Sequence, residues 1–179
     1  MTESGGSEIQ GSGAGGVSAM LDEKDAKILE LLQKDGRTTN VELARAVELT
    51  PSATLERVRK LEERGLIRGY TALLDPGALG LGLVAFIFLR VEDPEDLIGR
   101  AEGTAEALSA LPSVLELHHL AGEDCFLLKV RARDTDDLYR FLRDELGRFK
   151  AIRSTRTTIV LKSVKETAAL PLGVERAGE

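Results

Sequence analysis

The sequence predicts an α+β fold in two parts. A three-helix N-terminal unit closing in a helix-turn-helix, with or without a wing, is joined by a linker strand to a βαββαβ domain. Three observations carry this. Residues 21–65 place apolar side chains at helical spacing between capping signals. From Leu83 onward, four β-rich runs alternate with two helical ones in the order βαββαβ. Between the two parts stands the turn sequence Asp75-Pro76-Gly77.

Composition bounds the function classes. The chain has 179 residues, 42% apolar and 30% charged, with no Trp and a net charge of −6. The longest apolar candidate, Leu79 to Leu89, is far short of the ~20 residues of a membrane-spanning helix. The N-terminus is polar and Gly-rich rather than basic and then apolar, so no signal peptide is expected. A lone cysteine, Cys125, excludes an internal disulfide framework, and a cytoplasmic location is expected. An acidic chain does not bind nucleic acid through bulk charge, so any DNA contact must come from a local basic surface. Residues 1–19 hold little to bury and are expected to be disordered. Met20, directly before the first patterned segment, is a candidate start. A loose tail is expected over 167–179.

The N-terminal elements follow from their caps. Asp22 caps a first helix, with Leu21 outside it and Ile28, Leu29 and Leu32 forming an apolar stripe that Gly36 ends. Thr39-Asn40-Val41-Glu42 is a capping box opening a second helix, with Leu43, Ala44 and Val47 inward. Thr50-Pro51 opens a third, where Leu55, Val58 and Leu61 are the expected buried stripe and Gly65 the stop. The helix-turn-helix domain is thus 20–66 and the linker strand 67–78.

The second domain, 79–166, reads as strand Leu83–Val91, helix Pro94–Leu111, strand Val114–Leu120, strand Cys125–Ala132, helix Thr135–Leu146 capped by Asp134, and strand Ile152–Val164. That order in so short a span is the ferredoxin-like arrangement. The first strand is apolar at almost every position, so both of its faces want cover. A sheet with helices on one face leaves the other open, and an open apolar face predicts a partner sheet. A homodimer is expected, and it suits paired groove-reading helices ~34 Å apart on palindromic double-stranded DNA.

With the third helix packed through Leu55, Val58 and Leu61, its opposite face carries Ser52, Ala53, Glu56, Arg59 and Lys60, with Arg57 and Arg64 on a flank. Small residues at the helix start admit close approach to base edges. Glu56 can accept from cytosine N4, and Arg59 or Lys60 can reach guanine or phosphate. Residues 50–68 hold five basic against three acidic side chains, a net +2 in a chain of −6. An ordinary three-helix bundle with a solvated face would share the pattern. The polarity of the third helix and the charged segment after it favour DNA.

The run Leu21-Asp22-x-x-Asp25-x-x-Ile28-Leu29, then Asp35-Gly36-Arg37, Glu42-Leu43-Ala44, Leu49-Thr50-Pro51-Ser52, Leu55-Glu56-Arg57-Val58-Arg59-Lys60-Leu61-Glu62 and Gly65-Leu66-Ile67-x-Gly69-Tyr70-Thr71-Ala72 closely resembles the Lrp/AsnC, or feast/famine, transcription regulators. The resemblance covers residues 20 to about 166. It implies a helix-turn-helix, a linker strand and a ferredoxin-like ligand-sensing domain, with dimers that associate into tetramers or octamers. It also implies an effector site where dimers meet, at the turn between the second and third strands. Here that turn is Gly122-Glu123-Asp124-Cys125. The family's Asp falls on Cys125, with an acid one position earlier at Asp124. A second element resembling the family's is Thr155-Arg156-Thr157. For an amino-acid effector, Glu123 or Asp124 would face the ammonium, and turn N–H groups with Thr155 and Thr157 the carboxylate.

The implied function is a sequence-specific DNA-binding regulator answering to an amino acid or related metabolite. The alternative is an effector-independent architectural protein of the same fold. A ligand-binding domain on a helical adaptor and an acylphosphatase-like enzyme are more distant readings. The enzyme would want an Arg/Asn pair in a phosphate-cradling loop, and the sequence offers none, nor any nucleophile–base motif or P-loop. His118 and His119 face opposite ways on a strand and cannot easily share a metal. One of them with Cys125 and a carboxylate is a conceivable transition-metal site, but no metal or other cofactor is expected.

Overall fold

A computed structural model of the chain describes residues 21–91, 104–122 and 125–172. They form two compact units. One holds the N-terminal helices together with the chain from Thr167. The other spans Leu73–Glu166.

The first unit has helices α1 (Glu23–Lys34), α2 (Asn40–Ala46) and α3 (Pro51–Glu63). Each start is capped as its sequence dictates. Asp22 accepts from the Asp25 N–H, Thr39 and Glu42 form the reciprocal capping box, and Thr50 accepts from the Ala53 N–H with Pro51 at the first helical position. Ile28, Leu29, Leu43, Val47, Val58 and Leu61 form the core, with Leu21 packed against it. Lys24 reaches across to donate to the Val47 carbonyl at the end of α2 (2.9 Å). The turn between α2 and α3 places Glu48 at φ 53°, a left-handed conformation uncommon outside Gly, Asn and Asp.

Several boundaries differ from the sequence reading. Helix α1 ends at Lys34 with an extended Asp35 as its C-cap, so Gly36 lies beyond the cap and supplies no left-handed turn. Gly65 does, at φ 70° after α3. The buried stripe of α3 is Thr54, Val58 and Leu61, not Leu55, which is 45% exposed. The reason is a satisfied hydroxyl: Thr54 Oγ1 donates to the Thr50 carbonyl (3.1 Å) and so packs inward at no polar cost. The linker 67–78 forms no strand among the described residues. Leu66 and Ile67 pack on the helical core, and the chain then runs unpaired to a turn in which Asp75 Oδ1 accepts from the Gly77 N–H.

The described part of the tail, residues 167–172, contacts the helical unit. Gln33 on α1 bonds the Leu170 backbone twice: its Nε2 donates to the carbonyl (3.2 Å), and its Oε1 accepts from the N–H (2.6 Å). Leu172 packs against the helical core. Composition reports little burial potential, and it does not reveal that one amide can satisfy a backbone donor and acceptor together.

The second unit is a four-stranded antiparallel sheet in the order β2-β3-β1-β4, where β1 is Leu83–Val91, β2 Val114–His119, β3 Phe126–Ala132 and β4 Ile152–Ile159. The last strand thus stops short of Val164. The first predicted helix, Pro94–Leu111, lies partly outside the described residues; its described part holds α4 (Thr104–Ser109). The second starts at Asp134 as expected but runs as α5 (Thr135–Arg140), a π-turn (Phe141–Glu145) and a 3-10 turn to Arg148. Ala85, Ile87, Leu89, Phe126, Leu128 and Val130 face the helices and meet Leu108, Leu138, Phe141 and Leu146. The other face of β1 carries Phe86 and Phe88, both only half-buried.

Removing residues 167–179 should lower the stability of the helical unit by about 1–2 kcal/mol, from the loss of Leu172 packing and of the Gln33 bonds. Thermal unfolding followed by helical ellipticity, with Gln33→Ala as the partial version, checks this. An unchanged melting curve would show that the tail contributes nothing.

Candidate nucleic-acid interface and effector site

Helix α3 presents two faces because its inward stripe is narrow. Opposite Thr54, Val58 and Leu61 stand Ser52, Ala53, Glu56, Arg59 and Lys60, all exposed. Lys60 and Glu56 lie 4.0 Å apart as an i,i+4 pair, and Ser52 Oγ is 3.2 Å from Thr50 Oγ1. Pairs this exposed are weak, so both side chains are available to other partners. Arg64, the C-cap residue of α3, is also exposed. A groove of about 410 Å³ follows the flank of the helix past Ala53, Lys60 and Arg64.

Arg57 has a different task. Its Nη1 donates to Asp22 Oδ2 at 2.6 Å and to Asp25 Oδ1 at 2.7 Å. Asp25 is nearly buried, with only 12% of its side chain exposed, and Arg57 is two-thirds covered. The guanidinium therefore ties α3 to the N-terminal turn of α1, and it belongs to the scaffold of the interface. Partial burial pulls the Asp22 carboxyl upward. The Asp25 N–H, the Arg57 hydrogen bond and charge, and the Lys24 N–H outweigh that, and hold it below the ordinary aspartate value of 3.8. Because the folded value lies below the unfolded one, the contribution of Asp22 is present above pH ~4 and is lost as the pH falls lower.

Sequence reasoning missed two residues here. Leu55 was expected in the core but stands open beside Glu56 and Arg59. Tyr70, 51% exposed, donates to Glu62 Oε1 at 3.0 Å and so braces the end of α3. A helical wheel phased on Thr54 rather than Leu55 would have found the first. No local signal marks the second.

In the sheet unit, the β2–β3 connection carries Gly122 at φ 146°, a conformation L side chains rarely adopt, and it closes through the Leu120 N–H to the Cys125 carbonyl (2.7 Å). Cys125 is buried. His119 stacks on Phe126, with ring centroids 4.8 Å apart, so its expected orientation serves packing. Glu123 and Asp124 lie outside the described residues. Thr155 and Thr157 sit on β4, at the sheet edge remote from β2. Register relates the two elements. Phe126 pairs with Leu89, and Leu89 pairs with Thr155, so all three share one row and one face. The turn and the threonines are thus at the same end of the sheet, two strand spacings or ~10 Å apart, with β1 between them. Thr155 is exposed and Thr157 half-buried, while Gly122 is exposed at the turn. The groove of about 310 Å³ in this unit lies elsewhere, against Ser113, Arg131, Asp137 and Phe141.

Comparison with known proteins agrees with both halves. Residues 21–68 match the family model for winged helix-turn-helix DNA-binding, and residues 84–170 match that for the Lrp/AsnC ligand binding domain. The chain is 39% identical over 150 residues to the leucine-responsive regulatory protein of Escherichia coli, covering 84% of this chain and 90% of that one. It is 37% identical over 152 residues to the HTH-type transcriptional regulator FL11 of Pyrococcus horikoshii, covering 85% and 97%. Among solved structures, a transcriptional regulator of Neisseria meningitidis in complex with L-Met superposes with a TM-score of 0.80 at 38% identity, covering 86% and 97%. AsnC of Escherichia coli does so with 0.77 at 28%, covering 84% and 99%.

Arg57→Ala and Arg59→Ala should separate scaffold from contact. Arg57→Ala leaves the Asp25 carboxylate uncompensated and should cost about 2 kcal/mol of stability. Arg59→Ala should leave the melting temperature unchanged and lower the slope of log affinity against log salt by about one, if its partner is a phosphate. Chemical denaturation and salt-dependent anisotropy on the two variants distinguish them. Equal losses of stability would refute the division.

Proposed function

The chain belongs to the Lrp/AsnC family and is a transcription regulator with a helix-turn-helix DNA-binding domain and a ligand-binding domain. We propose that its ligand is an amino acid, held between the Gly122–Cys125 turn and the Thr155/Thr157 edge where copies of the chain meet. The observation that carries this reading is the shared row Phe126–Leu89–Thr155, which brings the start of β3 after the turn and the threonines of β4 to one end of the sheet. A zwitterion there would find hydroxyl donors on the threonines and backbone N–H groups at the turn, with Glu123 and Asp124 as the anions for its ammonium. The Neisseria relative's complex with L-Met supports the same ligand class.

Assembly follows from the open face of β1. Phe86 pairs with Lys129 and Thr158, and Phe88 pairs with Leu127 and Arg156. The Arg156 guanidinium stacks over the Phe88 ring at 4.0 Å. A second sheet over this face would bury both rings and place two α3 helices on one DNA duplex, in the cytoplasm, at paired half-sites. Further association into tetramers or octamers would bring a second copy to the turn. We assign the chain no reaction.

Phe86→Asp should dissociate the assembly while leaving the fold intact, because Phe86 is half-buried on the open face. Ile87→Asp should unfold the domain, because Ile87 is 0% exposed among the helices. Light scattering with circular dichroism reads both. A folded Ile87→Asp variant, or a Phe86→Asp variant of unaltered mass, would refute the assignment of faces.

A thermal-shift screen of the full chain with the twenty amino acids should give a rise of several degrees for a small subset that includes L-methionine. Gly122→Val should abolish the rise, since a β-branched residue cannot adopt φ 146° without strain. No shift with any amino acid would favour the effector-independent architectural reading.

A further inference from the structure

Leu55 is the large aliphatic side chain that α3 leaves open, at 45% exposure against 7% for Val58 and 0% for Leu61. An exposed leucine by itself signals nothing. Its place does. It lies three residues after Ser52 and four before Arg59, so it joins the same outward surface, directly beside Glu56. This is the N-terminal half of the helix, the part that approaches base edges when such a helix enters the major groove. Helical side chains lean toward the N-terminus onto the preceding turn, which directs Leu55 toward Pro51 and Ser52, at the start of the helix where the small Ser52 admits close approach. Base edges in the major groove present donors and acceptors, with one apolar exception, the thymine 5-methyl. A leucine pressed on any other edge would desolvate a polar group without pairing it.

Glu56 fixes the neighbouring preference. An ionised carboxylate only accepts hydrogen bonds, so it takes an amino group, as on cytosine N4 or adenine N6. Resting on the assignment of α3 as the DNA-reading helix, we infer that Leu55 is a specificity-determining residue. It packs on the 5-methyl of a thymine next to the cytosine or adenine that donates to Glu56. The polar face read from the sequence lacks this contact because Leu55 was counted in the core.

The test removes the methyl and nothing else. Binding sites are selected from a random duplex library with the full chain, and each thymine of the selected site is replaced in turn by deoxyuridine. One thymine per half-site should weaken wild-type binding about fourfold when its methyl is lost. Leu55→Ala should bind the thymine and deoxyuridine duplexes equally, and Leu55→Met should retain the penalty. The inference is overturned if no deoxyuridine substitution alters wild-type affinity by as much as about twofold. It is equally overturned if the penalty persists in Leu55→Ala. Failure to select any site would instead overturn the DNA-reading role of α3 itself, and the inference with it.

Discussion

Arg57 is the contact on which the DNA-reading geometry depends. A recognition helix must bury one stripe and offer the opposite one, and a rotation of a few tens of degrees exchanges the residues on offer. Apolar packing alone constrains that rotation loosely, because Val58 and Leu61 occupy a narrow arc of α3. A guanidinium nitrogen shared between Asp22 and Asp25 constrains it sharply, since both oxygens must stay within hydrogen-bond reach of one atom. The same aspartates cap and open α1. The start of the first helix and the phase of the third are therefore one structural decision, and the basic face of α3 is its consequence.

In the sheet unit the governing constraint is the central place of β1. Because β3 and β4 pair on either side of it, the β2–β3 turn and the threonines of β4 stay two spacings apart however their side chains turn. On the proposed reading the ligand lies where copies of the chain meet, so ligand binding and association are linked. Anything that binds the assembled form more tightly than the separated one shifts the equilibrium by its differential affinity.

The elements legible in the sequence were those written in local chemistry. Thr39 with Glu42, Thr50 with Pro51, and Asp134 each announce a helix start, and the strand Leu83–Val91 stands at its predicted limits. What was illegible depended mostly on contacts distant in the chain. One miss was local: Thr54 takes the inward place expected of Leu55 because its hydroxyl finds the Thr50 carbonyl one turn earlier. The contact of Leu170 with the helical unit depends on Gln33, 137 residues earlier, which answers both of its backbone polar groups. At the candidate sites, residue types and offsets placed Ser52, Glu56, Arg59 and Lys60 on the open face of α3. Nothing local distinguished Arg57, whose partners lie 32 and 35 residues away.

The acidic character of the whole chain adds a last step. A net +2 over residues 50–68 within a net −6 chain gives one copy little non-specific attraction to DNA. Weak bulk attraction raises the share of affinity that must come from base-edge and geometric complementarity. On the proposed assembly, two copies of α3 bind as one unit, and the second helix engages at the effective concentration set by the first rather than by solution. Association over Phe86 and Phe88 is then a condition of useful affinity, and an acidic surface suppresses binding by single copies at unpaired half-sites. On the proposed assembly, the acidic charge of the chain and the half-buried apolar face of its sheet therefore act together to favour paired over single binding.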